Sequence, residues 1–114
     1  MYPIKIKQIE PFTATPLAST TFAATPGTPN YDVQSLDYLV VIDASAVNAG
    51  ARLPDAATVT GRTFLIVKGD NAGTILTVSC VVNGQKISGS ATYVVTGQGG
   101  SATVTSDGSN YWRT

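Results

Sequence analysis

From Asp37 to Arg113 the chain is a succession of short β-type runs separated by turns, several of them rich in glycine, and it ends in SDGSNYWR. No long stretch keeps the 3.6-residue apolar period of a helix, so the fold has to be built from strands. The runs are DYLVVID (37–43), GARL (50–53), RTFLIVK (62–68), TILTVSCVV (74–82), QKIS (85–88), ATYVVT (91–96), SATVTS (101–106) and YWR (111–113). Residues 54–61, PDAATVTG, have room for one helical turn, with Pro54 near its start and Gly61 beyond its end. Asn83-Gly84 is the favoured pair for a type I′ hairpin, which would return TILTVSCVV into QKIS. Strand-and-turn spacing of about ten residues indicates an all-β fold, a small antiparallel β-sandwich or barrel.

DYLVVID is apolar on both of its faces, as in a central strand or one held in a subunit interface. Leu39 and Val41 in this run, with Leu65 and Val67 in RTFLIVK, are the candidate interface or core positions. Charge supports association: only 12% of residues are charged and seven cations offset seven anions, against a usual charged share of about 25%. With 43% hydrophobic residues, part of the surface is expected to become interior through self-association.

Residues 11–30 hold four prolines and six threonines and no charge, which reads as an extended segment rather than a ladder of strands. Ahead of it, Tyr2, Ile4 and Ile6 alternate with Lys5 and Lys7 in the period of a half-buried strand. The chain therefore divides into an N-terminal arm (1–30) and a β domain (31–114). Tyr2, Ile4, Ile6, Phe12, Leu17 and Phe22 are the arm's candidate docking anchors, able to grip another surface by strand addition or one side chain at a time.

Reactive chemistry has little to work with. Histidine is absent, so a nucleophile lacks its usual base, and Asp32, Asp43, Asp55, Asp70 and Asp107 sit at strand ends or turns, where aspartate is a structural choice. The protein reads as no enzyme. Cys80 is the lone cysteine; it shares an alternating face with Leu76 and Val78 and reads as a small buried hydrophobe. No cofactor or metal site is expected: the glycines of TGQGGS precede no helix, and the acidic turns are too short for a calcium loop. Scattered cations argue against nucleic acid, and no apolar run is long enough for a membrane span. The N-terminus has no signal-peptide pattern, pointing to synthesis in the cytoplasm. Tyr111-Trp112 offers flat rings for surface recognition, of a sugar for example, or a plug for one end of the core. Since neighbours on a strand point to opposite sides, one of the two is expected to be exposed.

The succession DYLVVIDAS, ARLPDAATVTGRTFLIVK, TILTVSC and GQKISGSATYVVTGQGGSATVTSDGSNYW, over residues 36–113, resembles a β domain of bacteriophage virion proteins, found at the ends of tail and head fibres. The resemblance implies a homotrimer sharing an apolar axis and a place on the virion exterior. Fibre proteins carry a long shaft, whereas here a proline- and threonine-rich leader follows Met1. The expected role is therefore a capsid decoration (cement) protein whose partners are its own copies and the phage major capsid protein. The alternative is a receptor-binding tip recognising a host surface glycan or protein.

Overall fold

The computed structural model describes residues 17–114; Tyr2, Ile4, Ile6 and Phe12 lie outside the described residues. The strands are β1 (Ala18–Ala23), β2 (Asn30–Asp32), β3 (Asp37–Asp43), β4 (Ala49–Leu53), β5 (Thr63–Lys68), β6 (Ile75–Cys80), β7 (Thr92–Thr96), β8 (Ser101–Ser106) and β9 (Tyr111–Arg113). They form two mixed sheets, one of five strands in the order β1-β3-β5-β8-β9 and one of four in the order β2-β4-β6-β7. The β-rich reading holds, but the antiparallel one does not. The pairs β1–β3, β3–β5, β2–β4 and β4–β6 are parallel, and only β5–β8, β6–β7 and β8–β9 are antiparallel.

Parallel neighbours need a crossover between them, usually a helix. Here the crossover is another strand: through β6 the chain alternates between the sheets, so each strand pairs with the one two places earlier. The result is a short parallel coil of three rungs, closed by antiparallel strands. Ser19 lies beside Leu39 and Asn30 beside Gly50, whereas Leu39 lies beside Leu65 and Ala49 beside Leu76. The middle rung is longer because it contains residues 54–62, with a single 3-10 turn at Ala56–Thr58. The Asp55 carboxylate starts that turn by accepting the Ala57 N–H. The Gln85 amide and that N–H hold the carboxyl below its ordinary range.

Residues 18–30 therefore belong to the domain and are not a free arm. Pro16, Pro26 and Pro29 all fall outside Ala18–Ala23, whose threonines and phenylalanine suit an edge strand that bonds on one side only. A register shift between Ala18 and Ser19 places two residues, Asp37 and Tyr38, against one and brings the Asp37 carboxylate inside. There it accepts the Tyr31 hydroxyl at 2.6 Å, the Thr20 hydroxyl at 2.7 Å and the Gln34 N–H at 2.8 Å. One buried carboxylate thus ties β1 and β2 to β3. Burial, and then the bond to Asp37, raises the Tyr31 pKa.

Between the sheets, β3 contributes Val40 and Ile42, β4 Ala49, Ala51 and Leu53, β5 Phe64 and Ile66, β6 Leu76 and Val78, β7 Val95, and β8 Ala102 and Val104. Each end of this core is stopped by a polar group with a bonded head. At one end Tyr111 is fully buried, its hydroxyl donating to Pro54 O at 2.6 Å, while Ser106 Oγ donates to Ala56 O at 2.7 Å. At the other, Lys68 occupies an inward position of β5. Its buried Nζ donates to Asp70 Oδ1 at 2.7 Å and Ala72 O at 3.0 Å.

The hairpin expected at Asn83-Gly84 is absent. Gly84 alone has positive φ there, and the turn is closed by Gln85 N–H donating to Val82 O at 3.2 Å. The type I′ arrangement falls instead on Ser88-Gly89, at φ 47° and 87°, with Ile87 and Ser90 exchanging bonds of 2.6 and 3.0 Å. QKIS is accordingly no returning strand of β6. Gln85 is drawn to Asp55 and the Ala56 N–H, and Lys86 and Ser88 bond the backbone of Tyr111.

The Lys68–Asp70 pair generates a stability prediction. Burial alone would raise the Asp70 carboxyl, but the Lys68 ammonium and the Ala44 and Ala72 N–H groups outweigh it and hold the pKa below the ordinary value. The stabilisation is therefore complete above about pH 4 and is lost as pH falls through the lower folded-state pKa. Asp70→Ala, which strands a buried ammonium, is expected to cost about 3–5 kcal/mol. Urea unfolding of both proteins at neutral pH and across the acid range measures both effects.

Candidate interaction surface

Alternation along each strand of the five-stranded sheet sends one set of side chains inward and the other out. Leu39, Val41, Leu65 and Val67 are in the outward set and half-buried, while Val40, Ile42, Phe64 and Ile66 between them are in the core. The parallel register sets Leu39 beside Leu65 and Val41 beside Val67. The row continues through Thr103 and Ser101 of β8 and through Ser19 and Thr21 of β1. The four residues singled out from the sequence are thus one contiguous apolar patch on the outside of a sheet, flanked by hydroxyls and methyl groups. Charge is confined to the ends of these strands. Asp43 turns its carboxylate back onto the Ser45 N–H at 2.9 Å, Lys68 is buried inside, and Arg113 stacks over the Tyr93 ring at 4.1 Å.

The outer face of the four-stranded sheet differs in chemistry. Asp32 and Arg52, neighbours in register, form an exposed ion pair at 2.6 Å, followed across the sheet by Ser79 and Thr92. Val94 is exposed on this face but has polar neighbours. A charged pair that already satisfies itself in water contributes little to stability, yet it would be costly to bury. The two faces are therefore unequal in chemistry, and the five-stranded sheet carries the more apolar one.

Tyr111 and Trp112 separate as alternation requires. Tyr111 is fully buried and therefore takes no part in surface recognition, because β9 directs it between the sheets; burial also raises its pKa. Trp112 is outward and 50% exposed, next in register to Thr105 and then Thr63. Its ring is fixed, since Nε1 donates to Asp107 Oδ2 at 2.7 Å. The other carboxylate oxygen of Asp107 accepts the N–H groups of Ser109 and Asn110, each at 2.8 Å. The backbone N–H of Asn110, then the Trp112 indole, hold this carboxyl below its ordinary range. SDGSN is therefore a mount for the tryptophan as well as a turn.

Of the candidate docking anchors, Leu17 is 51% exposed. Phe22 is half-buried, its ring 5.3 Å from that of Tyr31, so it serves the first rung and is not free to dock. Leu36 and Tyr38, which the sequence reading did not single out, are 45% and 44% exposed. They stand beside Leu17, because the Ala18 N–H donates to Leu36 O at 2.7 Å and Ala18 pairs with Asp37. Their signal in the sequence was two large apolar residues flanking Asp37 next to a turn.

Among the described residues there is no cavity and no group of three His, Cys, Asp or Glu placed to hold a metal ion. Cys80 packs half-buried against the core, and burial raises its thiol pKa, which disfavours the reactive thiolate. No protein-family model matches the chain, and no curated protein matches it.

Asp107→Ala is expected to release the indole while leaving the fold intact. Steady-state anisotropy of the single tryptophan should fall, with the far-ultraviolet circular dichroism unchanged.

Proposed function

We propose that the protein is a virion structural protein of a bacteriophage, a trimeric capsid decoration protein that cements the head from outside. The observation that carries this reading is the apolar patch at the centre of the outer face of the five-stranded sheet, where Leu39, Val41, Leu65 and Val67 lie together in a subunit whose interior is otherwise complete. Apolar area of this kind is covered on most soluble proteins by a partner. Three copies turning these faces toward a common axis would cover it without burying a charge. The turn and strand sequences that resemble phage virion domains support the setting.

The part left to grip the shell is the leader before Leu17. Phe22 belongs to the first rung, so the docking anchors of this proposal reduce to Tyr2, Ile4, Ile6, Phe12 and, at the junction, Leu17. Their partner would be the major capsid protein, reached by strand addition or by apolar anchoring. Cement needs no reaction. It acts by adding interface area and by matching its symmetry to that of its positions on the shell.

A receptor-binding tip is the second reading, and the rigidly mounted, half-exposed Trp112 favours it. An aromatic ring held in one orientation loses little entropy on meeting a sugar or a protein.

Light scattering on the eluting protein at micromolar concentration should give three times the chain mass. Leu39→Lys with Leu65→Lys should give a folded monomer, since both side chains lie outside the core; a wild-type monomer would refute the trimer. Removal of residues 1–16 should leave association intact and abolish binding to heads that lack the protein. Retained head binding would refute the role of the leader, and host-cell binding that survives the deletion would favour the tip.

A further inference from the structure

The two borders of the five-stranded sheet carry complementary apolar groups at one level. The strand order places β1 at one border and β9 at the other. Register fixes the heights: Trp112 lies beside Thr105, which lies beside Thr63. Leu39 lies beside Leu65, so Thr63 is level with the start of β3, where Asp37 pairs with Ala18. Trp112 on the β9 border is therefore level with Leu17, Leu36 and Tyr38 on the β1 border. These are four of the seven large apolar side chains exposed among the described residues.

We infer that Trp112 of one copy packs against Leu17, Leu36 and Tyr38 of the next, closing a head-to-tail ring. The inference rests on the trimeric reading above and names its contact. A C3 ring uses heterologous contacts, in which one patch meets a different patch of the neighbour. A rotation about an axis along the strands, with the outer faces turned inward, brings the β9 border of each copy to the β1 border of the next without changing height. The occupant is a second copy because the contact continues the Leu39–Val67 patch and because the two borders carry opposite charges beside it, the Asp107 carboxylate at Trp112 and the Arg62 guanidinium, bonded to Ser35 O and Asp37 O, at Leu36. Trp112 is already immobilised by Asp107 at 2.7 Å, so seating it costs little rotamer freedom, and a centrally buried tryptophan is a frequent anchor of such contacts. Leu17 is thereby assigned to a neighbouring copy and not to the shell.

Trp112 is the only tryptophan of the chain, so its emission reports on this contact alone. At concentrations where light scattering gives a trimer, the emission should be blue-shifted and shielded from acrylamide; dilution to monomer should shift it red. Trp112→Ala and Leu36→Lys should each raise the dissociation constant at least about tenfold with unchanged circular dichroism. In a Cys80→Ser background, Leu36→Cys with Trp112→Cys should give disulfide-linked dimers and trimers on oxidation. A trimer whose emission ignores dilution, and which survives both substitutions, overturns the contact while leaving the trimer standing. A monomer at every concentration overturns both. A Trp112→Ala trimer of unchanged stability that no longer binds host cells transfers the residue to receptor recognition and likewise overturns the contact.

Discussion

The central strands of the five-stranded sheet are apolar on both faces, and the subunit covers only one of them. That imbalance governs the rest of the structure. Val40, Ile42, Phe64 and Ile66 fill the space between the sheets, and the residues alternating with them, Leu39, Val41, Leu65 and Val67, are left on the outside. Parallel strands are ordinarily covered on both sides. In this subunit the outer side is left half-covered, and the proposed trimer would supply the second cover.

Polar groups do the work of ending the core. Lys68 is buried with its charge met by Asp70, and Tyr111 is buried with its hydroxyl on the Pro54 carbonyl. In both cases a long side chain spends its apolar length on the core and delivers a polar tip to backbone or carboxylate oxygens. No buried side-chain donor or acceptor among the described residues lacks a partner, so sealing the ends costs the fold no unmet hydrogen bond.

Strand positions were readable from the sequence because alternation and β-branched composition mark them directly: RTFLIVK, SATVTS and YWR map onto β5, β8 and β9 almost residue for residue. Their pairing was not. A short link that crosses to the opposite sheet has the same turn chemistry as one that folds back into a hairpin, and only the long-range register separates the two. The same limit explains Asn83-Gly84, where local preference favoured a tight hairpin but the pull of Asp55 on Gln85 decided otherwise. At the surface, alternation divided Tyr111 from Trp112, but it left Leu39, Val41, Leu65 and Val67 open between core and interface until the register placed them on the outer face. Leu36 and Tyr38 escaped notice because two apolar residues flanking Asp37 read as part of a strand, and the β1–β3 register shift that skips Tyr38 is a long-range feature.

The first rung has a consequence of its own. It contributes less to the interior than the other two: β1 supplies half-buried Thr20 and Phe22, β2 supplies Tyr31, Ala24 and Val33 are buried beyond them, and the fastening combines the β1–β3 and β2–β4 ladders with three bonds converging on Asp37. A terminal unit whose strands pair on one side only opens more readily than strands locked in the hydrophobic centre. Peeling it back would bare the long edges of β3 and β4 while the remaining coil stays folded. The molecule thus has a built-in zipper end, a place where a foreign strand could substitute for its own without the whole subunit coming apart.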